Sequence, residues 1–386
     1  MGRIYIFTGK GGVGKSSIAA AHAVKSAQDN KRTLLVSTDM AHNLGDIFEQ
    51  DLGKEPKMVL PNLEAYEIDP EHVMEEDFGF IMEYLTKLLS VDGGDLQDFG
   101  MIPGMEELFT LLKIAELHKK DKYDRIIVDC APTGETLSLL KFPELLSWYM
   151  EKLFPIGKFG VRLLAPISKT AFKIELPNKT AMNDIERMYL KLSELQGLLK
   201  DRETTSVRIV TMPEKMVVEE TKRNYMYMNL YNFNVDGIYI NRILPQNINN
   251  AFFLQWIDLQ KNYTTELKET FAALPIYEIP WYDEELRGEA AIKRIIEDTL
   301  PDNVFESRVV TERETYVQND KGYLLKVFLP NVQKEKLELY QAASAIAIKA
   351  DNFKRNITLP NVLCRYFVTS AKLEDDILSV QFEKNI

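Results

Sequence analysis

Short apolar runs alternate with longer helical patterns over residues 3–300. The apolar runs predict strands at 3–8, 32–37, 63–68, 124–129, 206–211, 235–240 and 275–279. Apolar positions at helical spacing predict helices at 16–28, 213–231, 250–272 and 283–297. Strands separated by helices favour a mostly parallel sheet with helices on both faces. The first part of the chain is therefore predicted to have an α/β fold.

The alternation is interrupted twice and then replaced. Residues 69–120 and 145–200 are almost entirely helical in pattern, and we interpret them together as a helical insertion subdomain. After residue 302, short strands follow one another at regular spacing, separated by polar turns. This pattern is typical of a small all-β sandwich. The sequence predicts one α/β domain over 1–302 and a separate β domain over 303–386.

The composition predicts a soluble, cytoplasmic protein. Of 386 residues, 45% are hydrophobic and 27% charged, and the formal net charge is −11. This charge argues against nucleic-acid binding, which needs a basic surface. No uncharged apolar run reaches the roughly 18 residues of a transmembrane helix, and the first strand begins at once, so we expect no membrane span and no signal peptide. The two cysteines, Cys130 and Cys364, allow no disulfide framework, which fits a reducing compartment.

A phosphate-binding loop follows the first predicted strand. Residues 9–16 read GKGGVGKS, which satisfies G-x-x-x-x-G-K-[ST] between a strand and a helix. We expect Lys15 to contact the β- and γ-phosphates of ATP, and the Ser16 hydroxyl to bind Mg²⁺. The flanking strand and helix disfavour the alternative of a glycine-rich turn without a ligand. The predicted nucleotide-binding residues of this segment are Gly9, Lys10, Gly11, Gly12, Val13, Gly14, Lys15, Ser16 and Ser17.

Two acidic residues follow predicted strands and are candidates for the chemistry. Asp39 is expected to orient or deprotonate the attacking water, a role that phosphoryl transfer requires. A helix-capping carboxylate is the alternative, but beside a phosphate loop we favour catalysis and group Asp39 with Lys10 and Lys15. Asp129 ends a buried strand and is expected to hold Mg²⁺ through water. Gly134 is expected to give the loop after this strand the flexibility to sense the γ-phosphate.

Three segments resemble one family of P-loop ATPases. They read KGGVGKS at 10–16, STDMAH at 37–42 and DCAPTGETLSLL at 129–140. They are similar to the deviant phosphate loop, switch I and switch II of the arsenite-pump ATPases and of the targeting ATPase for tail-anchored membrane proteins. The resemblance assigns Asp129, Pro132, Thr133 and Gly134 to switch II. This sequence differs from the switch motifs of the family at four positions. It has Met40 where the family has proline, Cys130 where it has threonine, Glu135 where it has histidine and Ser138 where it has arginine.

The resemblance also implies a partner and an adenine site. In that family the first lysine of the loop, here Lys10, reaches across a dimer interface, and one phosphate loop per chain implies a homodimer. Similar segments recur at 103–107, 211–215, 240–242, 280–281 and 285–288. They assign Asn241 and Pro280 to adenine binding, for which an amide offers a donor beside an acceptor; a turn residue is the alternative for Asn241. The MinD and nitrogenase iron-protein relatives match the phosphate-loop motif of this sequence but do not match these later segments.

Two coupled processes fit the resemblance. Apolar clusters at 78–89 and 145–164 could hold a hydrophobic membrane-protein client that is passed to a membrane receptor, although most of these side chains would be expected in the subdomain's own core. The alternative is the ATPase subunit of an arsenite or antimonite efflux pump, which needs soft thiolate ligands. The two cysteines and the single ATPase copy place it second. No zinc is expected, because the Cys-x-x-Cys pair of the eukaryotic targeting factors is absent.

The last part of the chain resembles the α-crystallin domain of small heat-shock proteins. The similar segments are NITLP at 356–360 and LEDDILSV at 373–380. A bacterial and plastid branch of the targeting-ATPase family carries such a domain; the alternative is an accessory β sandwich that stabilises the dimer. A MinD-like switch would need a C-terminal amphipathic helix, which 382–386 does not supply. An ATP-binding scaffold without turnover is disfavoured by the intact Lys15, Asp39 and Asp129.

Overall fold

The computed structural model has two compact units. Unit 1 comprises residues 1–4, 16–204 and 287–293, and unit 2 comprises residues 5–15, 205–286 and 294–386. The residues that the structure describes are 2–38, 43–70, 72–73, 105–130, 179–248, 250–285, 287–306, 314–342, 345–350, 353–360 and 362–384. None of the described helices combines the length and the apolar character needed to cross a lipid bilayer.

Eight strands form a mostly parallel sheet in the order β3-β4-β2-β5-β1-β6-β7-β8. The strands are β1 (Arg3–Thr8), β2 (Thr33–Ser37), β3 (Lys57–Leu60), β4 (Leu63–Glu67), β5 (Arg125–Asp129), β6 (Thr205–Thr211), β7 (Val235–Ile243) and β8 (Ile276–Pro280). Strand β2 pairs in parallel with β4 and β5, and β7 pairs in parallel with β6 and β8. Strand β3 pairs antiparallel with β4. The predicted α/β fold is confirmed.

Seven described helices accompany the sheet. They are α1 (Lys15–Gln28), α2 (Asn43–Phe48), α3 (Met105–Lys119), α4 (Lys179–Lys200), α5 (Lys215–Leu230), α6 (Ala251–Thr270) and α7 (Gly288–Thr299). Of the predicted helical insertion, α3 and α4 are the helices that the structure describes, and residues 71, 74–104 and 145–178 lie outside the described residues. Helix α7 begins at Gly288, later than the predicted residue 283. The backbone at Gly288 has φ of +72°, which does not allow a helix to continue through it.

The core of unit 1 lies on the central strands of its part of the sheet. Leu34, Leu35 and Val36 of β2 are fully buried, as is Ile127 of β5. Strands buried on both faces read as continuous apolar runs, which explains why these strands were predictable from the sequence. The side chain of Glu67 is also nearly buried, at the end of β4.

A buried ion pair lies under the part of the sheet that belongs to unit 2. Arg208 of β6 donates to Asp236 of β7 at 3.1 Å and to the carbonyl oxygen of Val304 at 2.6 Å. Its guanidinium lies 4.5 Å from the ring centroid of Tyr5, and the Tyr5 hydroxyl donates to the carbonyl oxygen of Phe305 at 3.0 Å. These bonds fix the chain that leaves α7 against β1, β6 and β7. Because the charges are paired and hydrogen-bonded, their burial is tolerated.

The C-terminal part of unit 2 is antiparallel. Its strands are β9 (Glu314–Asn319), β10 (Gly322–Phe328), β11 (Leu337–Ala342), β12 (Ala345–Ala350), β13 (Phe353–Thr358), β14 (Tyr366–Glu374) and β15 (Ile377–Lys384). They form a four-stranded sheet, β14-β15-β10-β9, and a three-stranded sheet, β11-β12-β13. Leu325, Ile348, Val380 and Phe382 are fully buried and alternate with more exposed neighbours. The predicted β sandwich is confirmed as an antiparallel β region.

The antiparallel β region is attached to the C-terminal end of α5. Arg355 of β13 is almost fully buried, donates to the carbonyl oxygen of Leu230 and forms an ion pair with Glu314 of β9 at 2.5 Å. The hydroxyl of Tyr231 donates to the carbonyl oxygen of Lys354 at 2.5 Å. A cation at the last carbonyls of a helix is favoured by the helix dipole. Arg355 therefore holds the β strands and α5 together.

Candidate nucleotide-binding site

The glycine-rich loop between β1 and α1 has a backbone that excludes side chains at two points. Gly9 and Gly14 have φ of +155° and +90°, a region that L-residues rarely adopt. A Cβ atom on Gly9 would lie 2.1 Å from the carbonyl oxygen of Val210, and one on Gly14 would lie 2.4 Å from Nδ2 of Asn241. The loop is therefore packed against the carboxyl ends of β6 and β7 and is not a free turn.

The loop lysine lies inside this loop. Lys15 is 6% exposed, and its Nζ donates to the carbonyl oxygen of Lys10 at 3.4 Å. The long, weak bond leaves the ammonium available for stronger acceptors, because an ammonium carries three donors. Ser16 and Ser17 follow in the first turn of α1 and are half-buried. The sequence placed all of these residues in one loop-and-helix unit, and the structure has that arrangement.

Asn241 connects β7 to the phosphate loop. Its Nδ2 donates to the carbonyl oxygen of Val13 at 2.7 Å, and its Oδ1 accepts from the backbone N–H of Arg242 at 2.8 Å. The side chain is 5% exposed. The sequence assigned this amide to the adenine base, whereas its contacts in the structure are with the loop and with its own strand. These two bonds use one of its two donors and one acceptor position.

The first lysine of the loop, Lys10, has an intrachain partner that the sequence did not indicate. Lys10 Nζ lies 3.9 Å from a carboxylate oxygen of Glu220 on α5, and both side chains are partly exposed. Helix α5 is attached to β6 by a hydrogen bond of 2.7 Å between the hydroxyls of Thr211 and Thr221, both buried. Partly exposed ion pairs at this distance contribute little, so Lys10 can exchange Glu220 for another partner.

The last residue of β8 is the other residue that the sequence assigned to adenine. Pro280 ends β8 and is half-buried, and the backbone N–H of Trp281 donates to the carbonyl oxygen of Ile243 at 2.8 Å. Farther along, Arg294 donates to Asp283 at 3.0 Å. A backbone hydrogen bond, and then Arg294, lower the pKa of Asp283. The loop is thus held at both ends.

Asp129 is fully buried at the end of β5. It lies opposite Ser37, the last residue of β2, and its carbonyl oxygen accepts from the backbone N–H of Thr38 at 2.9 Å. The two strands after which the sequence placed Asp39 and the switch II segment therefore end side by side. Asp39, Pro132, Thr133 and Gly134 themselves lie outside the described residues.

Glu67 is a further residue of this region that the sequence did not reveal. Its Oε1 accepts from the backbone N–H groups of Leu44 and Gly45 at 2.8 and 3.0 Å, in the first turn of α2. This carboxylate therefore fixes the point at which the chain that follows β2 enters α2. In the sequence, Glu67 could have been recognised as an acidic residue at the end of a strand that lies next to β2. Within the described residues, no group of three His, Cys, Asp or Glu side chains is arranged as a metal site.

Family models match almost the whole chain. The model described as "Anion-transporting ATPase" matches residues 2–301, and the model described as "HSP20-like domain found in ArsA" matches residues 320–382. The second match agrees with the resemblance to small heat-shock proteins in the last part of the sequence.

Curated relatives cover similar lengths. A putative arsenical pump-driving ATPase of Prosthecochloris vibrioformis is 33% identical over 99% of this chain and 96% of its own length. A putative arsenical pump-driving ATPase 1 of Aquifex aeolicus is 31% identical over 97% of this chain and 98% of its own. The ATPase get3 of Botryotinia fuckeliana is 31% identical over 76% of this chain and 88% of its own. The chain therefore belongs to the ArsA family, carries the HSP20-like domain found in that family, and is an ATPase.

Proposed function

We propose that this protein is a homodimeric, Mg²⁺-dependent, cytoplasmic ATPase that uses ATP binding and hydrolysis to capture and release a hydrophobic membrane-protein client. The observation that carries the nucleotide part is the phosphate loop, in which Gly9 and Gly14 admit no side chain and Lys15 is buried. Such a loop presents backbone N–H groups to phosphates next to the positive end of α1. Lys15 contacts the β- and γ-phosphates in this proposal.

The metal is assigned from the chemistry of its donors. Ser16 supplies a hydroxyl oxygen and Asp129 a buried carboxylate that acts through water, and oxygen donors of this kind suit Mg²⁺. A Mg²⁺ ion held by these donors would supply positive charge to offset the negative charge that develops during phosphoryl transfer. Asp39 orients the attacking water. The residues that sense the γ-phosphate are Asp129, Pro132, Thr133 and Gly134 of switch II.

Lys10 is assigned to the dimer. When two copies close on their nucleotides, Lys10 leaves Glu220 and reaches the phosphates held by the partner. The 3.9 Å distance and partial exposure of the Lys10–Glu220 pair support this exchange, because little is lost when the pair separates. Asn241 and Pro280 border the adenine end of the site, and Asn241 also fixes Val13 in place.

The client is proposed to be a hydrophobic membrane protein that a membrane receptor accepts. Its candidate surface, the apolar clusters at 78–89 and 145–164, lies outside the described residues. The alternative of an arsenite or antimonite pump subunit is favoured by the names of two relatives. It is disfavoured by the thiols: Cys130 is buried after β5 and Cys364 is exposed near β14, and two cysteines cannot supply three thiolates within one chain.

A capture experiment separates the two processes. Asp39→Asn is expected to retain ATP and nearly stop turnover, and the trapped protein would be purified from its own cells with ATP and Mg²⁺. Enrichment of proteins with a single C-terminal hydrophobic helix supports the client proposal. Recovery of a membrane transporter, together with ATPase activity of the unmutated protein that rises with arsenite or antimonite, would replace it with the pump. Unchanged turnover in Asp39→Asn removes Asp39 from the mechanism.

A further inference from the structure

Unit 1 contains a cavity of about 280 Å³ next to α3. Its lining comes from four parts of the chain: residues 54–56 before β3, the end of β4 with the segment that follows it, the second half of α3, and the loop between α3 and β5. All of these residues belong to unit 1. None of the residues assigned above to ATP or Mg²⁺ lines the cavity, which is therefore separate from the nucleotide site.

Four lysines line this cavity, although the chain as a whole has a formal net charge of −11. They are Lys54, Lys113, Lys120 and Lys122. Among the described residues, Glu55 is the one carboxylate in the lining. A concave surface that carries mainly one sign of charge focuses the electric field and attracts ions of the opposite sign. The cavity therefore favours an anion.

Two of the lysines lie on one side of α3 with an apolar residue between them. Lys113, Leu117 and Lys120 are separated by four and three positions, the spacing of neighbours on a helix surface. The backbone N–H of Lys120 donates to the carbonyl oxygen of Glu116 at 3.2 Å, so the helical pattern extends to this residue. An anion can thus contact both ammonium groups while its attached group packs on Leu117.

The ammonium groups also have carboxylate neighbours that do not line the cavity. The nitrogen–oxygen distances are 3.5 Å for Lys54 and Asp69, 3.0 Å for Lys120 and Glu116, and 2.7 Å for Lys122 and Glu64. An ammonium carries three donors, so one such pair leaves donors for a ligand. The pairs of Lys54 and Lys120 lie at the surface and contribute little, so a bound anion can compete with them.

The apolar wall of the cavity is held in place. Tyr66, Leu117 and Tyr123 are buried. The hydroxyl of Tyr123 and the ammonium of Lys122 both donate to Oε2 of Glu64, at 2.5 and 2.7 Å, so Glu64 fixes two lining residues. Burial, and then the bond to Glu64, raise the pKa of Tyr123 to about 12. The ring therefore stays neutral at ordinary pH and adds no negative charge beside the lysines.

We propose that this cavity binds a small phosphate ester. A planar carboxylate is recognised best by the two-pronged guanidinium of arginine, whereas lysine binds phosphate as a point charge. All the cationic residues that line the cavity within the described part of the chain are lysines, apart from the ionisable His72. The volume lies at the lower end of that of ligand sites, which suits a phosphate with a small attached group. Tyr66, Leu117 and Tyr123 supply an apolar wall for that group.

Calorimetry with phenyl phosphate tests the proposal. The full-length Lys15→Ala protein is used, because the phosphate loop would otherwise compete for the probe. We expect one site per chain with a dissociation constant below about 1 mM. Adding Lys113→Gln/Lys120→Gln should weaken binding at least about tenfold, because two charge-assisted contacts are lost. Glutamine is a good helix former, so α3 should persist, which circular dichroism checks.

The matched control is Lys31→Gln/Lys119→Gln. It removes the same two charges from exposed positions that do not line the cavity, and it should bind phenyl phosphate like the Lys15→Ala parent. The same two pairs of substitutions in the wild type, with the phosphate loop filled by ADP and Mg²⁺, give an independent comparison. Equal affinity of the cavity pair and the control pair overturns the inference. Loss of all binding in Lys15→Ala alone also overturns it, since the phosphate loop would then be the site.

Two further probes test the class of ligand. Benzoate carries the ring of phenyl phosphate with a carboxylate, and inorganic phosphate carries the anion without the ring. Both should bind more weakly than phenyl phosphate. Benzoate that binds as tightly overturns the assignment of a phosphate, and inorganic phosphate that binds as tightly overturns the assignment of an ester. None of these outcomes depends on whether the ATPase captures a membrane-protein client.

Discussion

The side chain of Asn241 donates a hydrogen bond from Nδ2 to the carbonyl oxygen of Val13 at 2.7 Å, so the end of β7 holds the middle of the phosphate loop. The same nitrogen would lie only 2.4 Å from a Cβ atom on Gly14, which is too close for a side chain there. Loop conformation and the strand-end amide are therefore one structural unit. Asn241, which the sequence assigned to recognition of the adenine base, therefore also fixes the conformation of the phosphate-binding loop.

Asn241→Ala should weaken the binding of all nucleoside triphosphates. It leaves the Val13 carbonyl without its partner in a buried place, which costs about 1–3 kcal/mol of unfolding free energy. We expect ATP, GTP and tripolyphosphate affinities, measured by calorimetry, to fall together, with a lower melting temperature. Asn262→Ala on the surface of α6 is the control and should change neither. A loss confined to ATP would instead identify Asn241 as a reader of adenine only.

Gly14→Ala should abolish most of the ATPase activity. The left-handed backbone alone costs about 1–3 kcal/mol for a residue with a Cβ atom, and the contact with Asn241 adds to it. We expect a fall in the rate of at least about tenfold in a steady-state assay.

Gly197→Ala is the matched control for that substitution. Gly197 lies in α4, and a Cβ atom there meets nothing within 4 Å. Alanine in a helix is favoured over glycine by roughly 0.5–1 kcal/mol, so this variant should melt higher and keep full activity. If both glycine variants lose activity equally, the strained loop is not the cause.

Lys10→Ala should separate nucleotide binding from dimer closure. ATP affinity per subunit is expected to change by less than about threefold, because the affected contact is with the partner's nucleotide and a surface ion pair contributes little. Sizing with a non-hydrolysable analogue should show that closure is lost. Glu220→Gln removes the intrachain partner of Lys10 and should leave closure intact. An unaltered ATP-dependent change in Lys10→Ala would contradict the in-trans role.

Arg355→Met should loosen the antiparallel β region from α5. The change leaves Glu314 without its cation and the Leu230 carbonyl without its donor in a mostly buried place, which costs about 3–5 kcal/mol. We expect a lower melting temperature and faster proteolysis of the C-terminal antiparallel β region. Lys354→Ala is the control, because its side chain is exposed and only its carbonyl binds Tyr231. Equal cleavage of the two variants would show that Arg355 does not hold the region.

The sequence predicted the elements whose signals are local. Strand β1 has the predicted bounds, and β2, β5 and β6 differ from the prediction by one residue, because a strand buried on both faces is a continuous apolar run. The phosphate loop was equally clear, since its glycines are required by the backbone at Gly9 and Gly14.

Other elements and contacts have no local signal. Strand β3 is a four-residue edge strand, and β14 is an edge strand with a bulge and mostly exposed side chains, so neither has a regular apolar alternation. Glu67, Glu220 and the Asn241–Val13 bond depend on which distant segments meet in the fold. Side-chain partners of this kind follow from tertiary structure and cannot be derived from the spacing of residues along the chain.

The Arg208 cluster makes the last domain hard to exchange. Because Arg208 binds the Val304 carbonyl and Tyr5 binds the Phe305 carbonyl, the segment that leads into the β strands is itself part of the ATPase core. Arg355 provides a second attachment at the end of α5. A truncation placed before residue 304 would therefore damage the folding of the ATPase. A truncation placed after residue 306 would remove Arg355 and with it the hydrogen bond to the carbonyl oxygen of Leu230 at the end of α5. In engineering terms the two parts behave as one co-folding unit and not as exchangeable modules.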